Sequence, residues 1–201
     1  MSGIDFPEDG FEGLVFDLDG TLVDSMPAHH EAWCEALESV GAPGIFPEDV
    51  FYAMGGRPTR DIVVQINAEN GLHLDPDRVA LMKKKAFLNR LGSVTLIDAV
   101  VDYARSWRGN VPMAVATGGR REVAEKTLQI LEISDLFDEV VTADDVKVGK
   151  PDPEVFLLAA ERLGVDAKKC VAFEDAAPGI MAAQLAGMKV VAVPAPVRVV
   201  S

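Results

Sequence analysis

Two aspartates, Asp17 and Asp19, stand one residue apart where a short apolar run ends and a glycine turn at Gly20 begins. Near-continuous apolar runs are typical of buried strands in parallel sheets. Two neighbouring acids that leave such a strand are costly to ionise unless a cation or a shared proton offsets their charge. The pair therefore predicts a cationic or proton-sharing partner at this point of the fold.

Three further groups of chemically competent side chains follow predicted strands. They are Thr117 with Gly118 and Gly119, then Lys150, and finally Glu174 with Asp175. The carboxyl ends of parallel strands share one edge of a sheet, so these segments should converge on one crevice. Each has a simple structural alternative, as a turn, a helix cap or a solvated lysine, and it is their joint placement on strand ends that favours a site.

The predicted crevice suits a metal ion and a phosphate group. Several carboxylate oxygens on a compact site are the hard ligands that Mg²⁺ prefers. The positive charge of the metal and of Lys150 would hold a phosphate. Thr117 offers a hydroxyl, while Gly118 and Gly119 allow backbone N–H groups to approach an oxyanion near a helix N-terminus. We expect Mg²⁺ as cofactor and a small phosphorylated metabolite as substrate.

Composition excludes several classes of partner. The chain has 201 residues, with 32 acidic against 19 basic side chains and a formal net charge of −13. This balance disfavours nucleic acid and anionic membranes, which both need clustered positive charge. The N-terminal residues lack the pattern of a signal peptide, and no apolar run is long enough to span a bilayer. We expect a cytoplasmic protein in which Cys34 and Cys170 are reduced thiols, with a single disulfide as the alternative.

Hydrophobic periodicity predicts strands that alternate with helices, plus one all-helical block. The predicted strands are 12–16, 112–116, 139–142, 170–173 and 189–193, and the predicted helices are 27–40, 47–54, 59–69, 77–91, 98–107, 120–131, 153–163 and 178–186, with 94–97 as a linker. The alternation predicts an α/β fold with a doubly wound parallel sheet. We therefore expect a core domain of residues 1–24 and 93–201 with an inserted all-helical domain at 25–92.

Four motifs resemble those of the haloacid dehalogenase-like hydrolase superfamily, and together they span most of the chain. They are the run from Asp17 through Asp19 to Asp24, then Thr117, Lys150 with Pro151, and Phe173 with Glu174 and Asp175. The inserted block resembles the helical cap of the β-phosphoglucomutase-like branch. Within that branch the chain is similar to sugar-phosphate phosphatases of the fructose-1-phosphate and 6-phosphogluconate type.

The resemblance implies a role for each motif. Asp17 would attack phosphorus and form an aspartyl-phosphate, and Asp19 would be the general acid and then the general base. The presence of Asp19 argues against dehalogenase activity, whose representatives lack a second aspartate. Mg²⁺ would be held by Asp17, the Asp19 backbone carbonyl and either Glu174 or Asp175. Thr117 and Lys150 would bind the oxygens of the transferred phosphoryl group.

The cap should select the substrate. His29 stands where mutase-like relatives carry a histidine near the hinge, which is formed by Asp24 and Ser25, and Gly55, Gly56 and Arg57 resemble the family's specificity loop. The alternative for His29 and Arg57 is an ordinary surface position, and Arg60 is a second candidate for the contact predicted for Arg57. Mutase-like relatives carry a lysine near Gly55 and an arginine near Thr59, and many relatives have serine at the position of Gly119.

The absence of that lysine and that arginine from the cap favours a phosphatase, because a mutase must hold a bisphosphate in two orientations. The alternative is a sugar-phosphate mutase of the β-phosphoglucomutase type. A phospho-receiver is a third hypothesis, but its acid pair and acceptor stand in a different order along the chain. No motif specifies an oligomer interface, so we expect a monomer or a weak dimer.

Overall fold

A computed structural model of the chain describes residues 3–54 and 57–195. The described strands are β1 (Gly13–Phe16), β2 (Val23–Asp24), β3 (Thr95–Leu96), β4 (Met113–Ala116), β5 (Glu139–Val141), β6 (Cys170–Glu174) and β7 (Lys189–Ala192). The described α-helices are α1 (Met26–Ser39), α2 (Glu48–Ala53), α3 (Thr59–Asn70), α4 (Pro76–Leu88), α5 (Asp98–Trp107), α6 (Arg121–Ile130), α7 (Glu154–Leu163) and α8 (Ala177–Leu185). None of the helices in the described residues is both long enough and apolar enough to cross a membrane.

Contacts divide the chain into two compact units. The chain leaves the first unit after Asp24 and re-enters it at Thr95, so that the second unit is Ser25–Val94. The sequence predicted these two crossing points at 24–25 and at 92–93. The first unit contains the parallel sheet, and the second contains helices α1 to α4.

The sheet of the first unit has five strands in the order β5-β4-β1-β6-β7, and every pair is parallel. The predicted α/β fold with a doubly wound parallel sheet is thereby confirmed. From β1 the chain builds outward through β4 to β5, then returns to the other side of β1 and builds outward through β6 to β7. Open α/β sheets bind ligands where the strand order reverses, and here that point lies beside the carboxyl end of β1.

Strand β1 is central because it can be buried on both faces. All four of its residues are buried, as the apolar run in the sequence predicted. Phe16 pairs in register with Val115 of β4 and Phe173 of β6. The rings of Phe16 and Phe173 also stack with their centroids 4.6 Å apart. This register places the residues that follow β1, β4 and β6 side by side at one edge of the sheet.

Helices α7 and α8 cover part of the sheet through small and branched side chains. Phe156 and Ala159 of α7 and Ala183 of α8 share one buried cluster with Val15 of β1 and Ala172 of β6. Alanines at these positions allow helix and sheet to approach closely, so the loops that precede α7 and α8 are anchored directly on the sheet that carries the strand ends.

The second unit has its own apolar core. Residues from α1, α2, α3 and α4 and the loop before α2 contribute to it, including Trp33, Phe46, Phe51, Ile66 and Val79. The predicted cap of α4 is confirmed, because Asp75 Oδ1 accepts hydrogen bonds from the backbone N–H groups of Asp77 and Arg78. The unit therefore holds its helices together by burial of its own side chains.

The prediction that 94–97 is only a linker was wrong. Residues Thr95–Leu96 form β3, which pairs antiparallel with β2, so that Val23 lies opposite Leu96 and Asp24 opposite Thr95. Two-residue strands show no hydrophobic alternation, and their pairing joins segments remote in sequence, so periodicity cannot detect them. This small ladder fixes the two points at which the chain passes between the units.

Candidate functional site

The carboxyl edge of the sheet collects the predicted site residues of the first unit. Asp17 and Asp19 follow β1, Thr117 follows β4, and Glu174 is the last residue of β6. Lys150 comes from the longer loop between β5 and α7. Because Asp17 donates its backbone N–H to Phe173 O at 2.9 Å, the end of β1 is bonded to the end of β6.

Lys150 lies at the centre of a buried ion cluster. Its Nζ donates to Asp17 Oδ1 at 2.6 Å and to Glu174 Oε1 at 2.7 Å. The side chains of Lys150 and Glu174 are each 2 % exposed, and that of Asp17 is 8 % exposed. Lys150 Nζ also lies 4.9 Å from the ring centroid of Phe156, which closes the site on the side of α7. Lys150 is thus a cationic partner for Asp17, the first of the two neighbouring acids.

Burial controls the protonation of this cluster. Burial raises the pKa of Asp17 well above its usual range; Lys150 opposes this effect, while Glu174 and Asp175 add to it. Burial also raises the pKa of Asp175 to about 6, with a further contribution from Glu174. Burial lowers the pKa of Lys150, but Asp17 and Glu174 outweigh it, and the net shift is upward. The site thus keeps its lysine charged and resists the ionisation of all its acids at once.

Three carboxylates of the site fit a divalent cation. Asp17, Glu174 and Asp175 each offer an oxygen, and these oxygens lie within 4.8 Å of one another. With all three ionised, Lys150 balances one negative charge and leaves a net charge of −2. A hard divalent ion such as Mg²⁺ is bound by one or two carboxylates with additional oxygen ligands, and this donor set is of that kind. The residues present therefore fit the predicted cofactor.

Two glycines leave room for the carboxylates of the site, and no sequence pattern predicted this role for them. Gly20 has φ +93°, and a Cβ there would lie 2.3 Å from Asp175 Oδ2. A Cβ on Gly179, in α8, would lie 1.6 Å from Glu174 Oε1. Any other residue at either position would displace a candidate metal ligand. The only sign of this role in the sequence was the residue type. Gly179 is the second residue of a short predicted helix, where a glycine is unfavourable.

Hydrogen bonds orient the two acids at the carboxyl end of β6. Thr21 Oγ1 donates to Asp175 Oδ1 at 3.0 Å, and the backbone N–H of Ala176 donates to Glu174 Oε2 at 2.8 Å. Thr21 is fully buried and was not among the predicted site residues. It stands inside the first motif, directly after Gly20, which is the signal that could have identified it. Partners of this kind hold metal ligands in a fixed orientation.

The loop after β4 places Thr117 next to Asp19. A Cβ built on Gly119 would lie 3.3 Å from Thr117 Oγ1 and 3.8 Å from Asp19 Oδ2, so both side chains border this glycine. Thr117 is 2 % exposed, whereas Gly118 is exposed. The Gly119 N–H donates to Thr117 Oγ1 at 2.9 Å. For Gly119 to bind a substrate oxygen, as predicted, this bond would have to be exchanged for one to the substrate.

The predicted specificity residues lie in the second unit. His29 Nδ1 lies 2.9 Å from Lys83 Nζ, and its ring stacks on Phe87 with centroids 3.8 Å apart. Arg57 Nη1 donates to Gln65 Oε1, so its guanidinium already has a partner on α3. Gly56 lies outside the described residues, as does Gly55. Arg60, the alternative to Arg57, pairs with Asp77.

Both cysteines are thiols. Cys34 is exposed on α1, Cys170 is buried at the start of β6, and neither forms a disulfide. Burial raises the pKa of the Cys170 thiol to about 11, which makes it a poor nucleophile.

Comparison with known proteins agrees with this geometry. Residues 11–187 match the family model described as haloacid dehalogenase-like hydrolase. Fructose-1-phosphate phosphatase YqaB of Escherichia coli is 42% identical over 90% of this chain and 95% of its own. The phosphorylated carbohydrates phosphatase of Thermotoga maritima is 34% identical over 89% of this chain and 82% of its own. The crystal structure of β-phosphoglucomutase from Clostridium difficile has a TM-score of 0.77 and 26% identity, and covers 90% of this chain and 83% of that one. The chain therefore belongs to the haloacid dehalogenase-like hydrolase family, and it is a phosphatase of that family.

Proposed function

We propose that the chain hydrolyses the phosphate monoester of a small phosphorylated sugar or a related metabolite, through an aspartyl-phosphate on Asp17. The observation that carries the proposal is the buried cluster in which Lys150 joins Asp17 to Glu174, with Asp175 within the same set of oxygens. Such a cluster supplies a carboxylate nucleophile, a fixed cation and a site for a divalent ion. Phosphoryl transfer requires little else than positioning and charge compensation.

In the first half of the proposed reaction, a carboxylate oxygen of Asp17 attacks phosphorus. The bond between phosphorus and the oxygen of the leaving alcohol breaks, and Asp19 donates a proton to that oxygen. In the second half, Asp19 takes a proton from water as the water oxygen attacks phosphorus. Inorganic phosphate leaves, and Asp17 returns to its carboxylate form with Asp19 again protonated.

Lys150 has two functions in this scheme. Its charge favours the ionised form of Asp17, which is the form that attacks, against the effect of burial. The same ammonium group stabilises negative charge on the transferred phosphoryl oxygens, together with the Thr117 hydroxyl and the N–H groups of Gly118 and Gly119. Mg²⁺, held by Asp17, the Asp19 backbone carbonyl and Glu174 or Asp175, would lower the repulsion between the anionic nucleophile and the anionic phosphate.

The proposed substrate class is supported by the names of two relatives and by the resemblance of the second unit to a cap. Two relatives are named for the dephosphorylation of fructose-1-phosphate and of phosphorylated carbohydrates. We propose that residues 25–92 act as the cap of a core formed by 1–24 and 93–201, and that His29, Gly56 and Arg57 contact the leaving group. A cytoplasmic location is supported by the two free thiols. The monomer or weak dimer stays a prediction.

The proposal is tested by the release of inorganic phosphate from a panel of hexose, pentose and hexitol phosphates in the presence of Mg²⁺. Wild type should release phosphate from at least one sugar phosphate, and Asp17→Asn should reduce the rate about a thousandfold or more, since it removes the nucleophile. Asp138→Asn is a matched control, because Asp138 lies before β5, at the opposite end from the site, and the only described hydrogen bond of its carboxylate is to the backbone N–H of Met113. Equal rates for wild type and Asp17→Asn would exclude the proposal.

A mutase remains the second candidate, because a β-phosphoglucomutase shares the fold at a TM-score of 0.77. The two functions differ in the fate of the phosphoryl group. With β-glucose 1-phosphate and a bisphosphate primer, a mutase forms glucose 6-phosphate faster than it releases phosphate. We expect the reverse for this chain, because the sequence lacks a lysine at Gly55 and an arginine at Thr59.

A further inference from the structure

Two loops of the first unit carry the residues proposed to bind the phosphoryl oxygens. The loop after β4 carries Thr117, and the loop after β5 carries Lys150. These loops are bonded to each other at their bases. The backbone N–H of Ala143 donates to Gly119 O at 3.0 Å. The backbone N–H of Arg121 donates to Asp144 Oδ2 at 2.9 Å, and the Arg120 guanidinium also binds Asp144.

Asp145 is the centre of this junction. Its Oδ2 accepts the Thr142 backbone N–H at 2.8 Å, Thr142 Oγ1 at 2.8 Å and Arg121 Nη2 at 2.6 Å. Its Oδ1 accepts Arg162 Nη2 at 3.0 Å. The Asp145 side chain is 14 % exposed, so these bonds are largely shielded from water. One carboxylate thus ties the end of β5 to the first residue of α6 and to α7.

The two arginines also secure β5 itself. Arg121 Nη2 donates to Val140 O at 3.1 Å, and Arg162 Nη1 donates to the same carbonyl at 3.4 Å. Asp145 therefore holds two guanidinium groups against the backbone of β5, just before the loop that leads to Lys150. Hydrogen bonds to charged groups are about twice as strong as neutral ones, which makes this junction stiffer than a backbone turn.

The middle of the same loop is held independently. Glu154 Oε2 accepts the backbone N–H groups of Lys147 at 3.0 Å and of Val148 at 3.0 Å. Glu154 begins α7, which packs on the sheet. The loop that carries Lys150 is thus fixed at its start by Asp145 and near its middle by Glu154, and only the first of these anchors also bonds Arg121, the residue of α6 that directly follows the loop of Thr117.

We propose that Asp145 is a positioning residue for phosphoryl transfer: it holds the loop of Thr117 and the loop of Lys150 in one register, so that both side chains meet the same phosphoryl group. The inference rests on the proposed function for the identity of the reaction. The structural part of the inference, that one carboxylate orders both loops, is independent of which reaction the protein catalyses. Asp145 touches neither the ion cluster nor the strand-end acids in any described contact, so its effect must pass through the loops.

The test combines kinetics with hydrogen exchange on the full chain. Asp145→Asn is compared with Asp138→Asn, a change of the same chemistry at the other end of β5, with p-nitrophenyl phosphate and Mg²⁺ below the unfolding temperature of both variants. We expect Asp145→Asn to lower kcat/KM about tenfold or more, because misplacement by a fraction of an ångström suffices for such a loss. Hydrogen exchange should rise in both 117–121 and 147–150. Asp138→Asn should change neither quantity.

A double-mutant cycle separates positioning from a general loss of structure. If Asp145 acts in part through Lys150, then Asp145→Asn should cost less in kcat/KM when Lys150→Ala is already present, and the remaining cost is the part that passes through Thr117. Equal costs in both backgrounds would overturn the proposal. Should Asp145→Asn fail to fold, Thr142→Val removes the hydroxyl that donates to Asp145 and accepts the Asp144 N–H, while it keeps the shape of a buried side chain, and the same pattern is expected at smaller size.

The outcomes distinguish the two proposals. If wild type releases phosphate and Asp145→Asn matches Asp138→Asn in rate and exchange, the positioning role is wrong and the proposed function stands. If wild type releases no phosphate but both loops exchange faster in Asp145→Asn, the proposed function fails and the joint ordering of the loops is supported. Faster exchange in only one of the two loops would contradict the claim that Asp145 joins them.

Discussion

Lys150 Nζ lies 2.6 Å from Asp17 Oδ1, although the two residues are separated by 133 positions in the chain. The contact joins the loop after β5 to the end of β1, and it places a cation against the proposed nucleophile. Glu174 completes the arrangement from the end of β6. The site is therefore assembled from the strand ends rather than from any one segment.

Removal of Lys150 should destabilise the metal-free protein. Lys150→Met leaves the buried carboxylates of Asp17 and Glu174 without their cation, and breaking a buried ion pair in this way costs about 3 kcal/mol. Unfolding in urea without Mg²⁺ measures this change. Lys147→Met, which alters an exposed lysine in the same loop, is the control and should be nearly neutral. A loss below about 1 kcal/mol for Lys150→Met would show that the cluster is not held by this pair.

Gly179→Ala should disturb the metal site without a change of charge. The added Cβ would overlap Glu174 Oε1, since the distance is 1.6 Å, and the Glu174 carboxylate would have to move. We expect Mg²⁺ affinity to fall about 10- to 100-fold, as for other residues that orient metal ligands. Titration calorimetry with Mg²⁺ measures the change. Gly92→Ala is the control, because no atom lies within 4 Å of a Cβ there, and unaltered binding in both variants would argue against Glu174 as a ligand.

Magnesium binding should weaken in acid. Burial, assisted by Glu174, raises the pKa of Asp175 to about 6, so a proton competes with the metal for this carboxylate below about pH 6. Apparent Mg²⁺ affinity should therefore decrease as the pH falls below that value. Calorimetry from about pH 5 to pH 8 tests this. Asp175→Asn should bind Mg²⁺ weakly with a flatter pH dependence, and an unchanged profile would show that Asp175 does not titrate with the metal.

Asp145 should contribute stability at neutral pH that disappears in acid. Burial raises the pKa of Asp145, but the hydrogen bonds from Thr142 and Arg162 outweigh it and bring the pKa down to about 2. A depressed carboxyl pKa stabilises the fold above the unfolded value of 3.8, and this stability is lost as pH falls from about 4 to about 2. Asp145→Asn should therefore cost about 2 kcal/mol at pH 7.

Urea unfolding of wild type and Asp145→Asn at a series of pH values measures this contribution. The difference between them should shrink as the wild-type carboxyl becomes protonated below about pH 4. Asp138→Asn is again the control, since no arginine contacts its carboxylate among the described residues. A difference that stays constant down to about pH 2 would indicate that shape, rather than charge, accounts for the loss.

The sequence predicted those features of the fold and the site that follow from the local pattern of residue types. The apolar run of β1 predicted a doubly buried strand, and the acids, hydroxyl and lysine that follow strands predicted one shared edge. Parallel topology then required them to meet. The amphipathic pattern likewise predicted α5 with its observed bounds, Asp98–Trp107. These features depend on local pattern and on one general rule of sheet geometry.

The features of the fold and the site that were not predicted depend on contacts that no local sequence pattern encodes. The pairing of β2 with β3, the bond between His29 and Lys83, and the two arginines on Asp145 each join segments that are distant in sequence. Gly179 illustrates the same limit, because its importance is set by the carboxylate of Glu174 that fills the space beside it. Such details follow from the packed structure and not from residue type.

The most direct test of the proposed mechanism is to trap the acyl phosphate. Wild type is mixed with a sugar phosphate that it hydrolyses and with Mg²⁺, quenched in acid during turnover, and reduced with borohydride, which converts an acyl phosphate into an alcohol. Peptide mapping by mass spectrometry should then find the reduced side chain at position 17 alone, and no reduced residue in Asp17→Asn. Reduction at another carboxylate, or none at all during rapid phosphate release, would contradict the role of Asp17 as nucleophile.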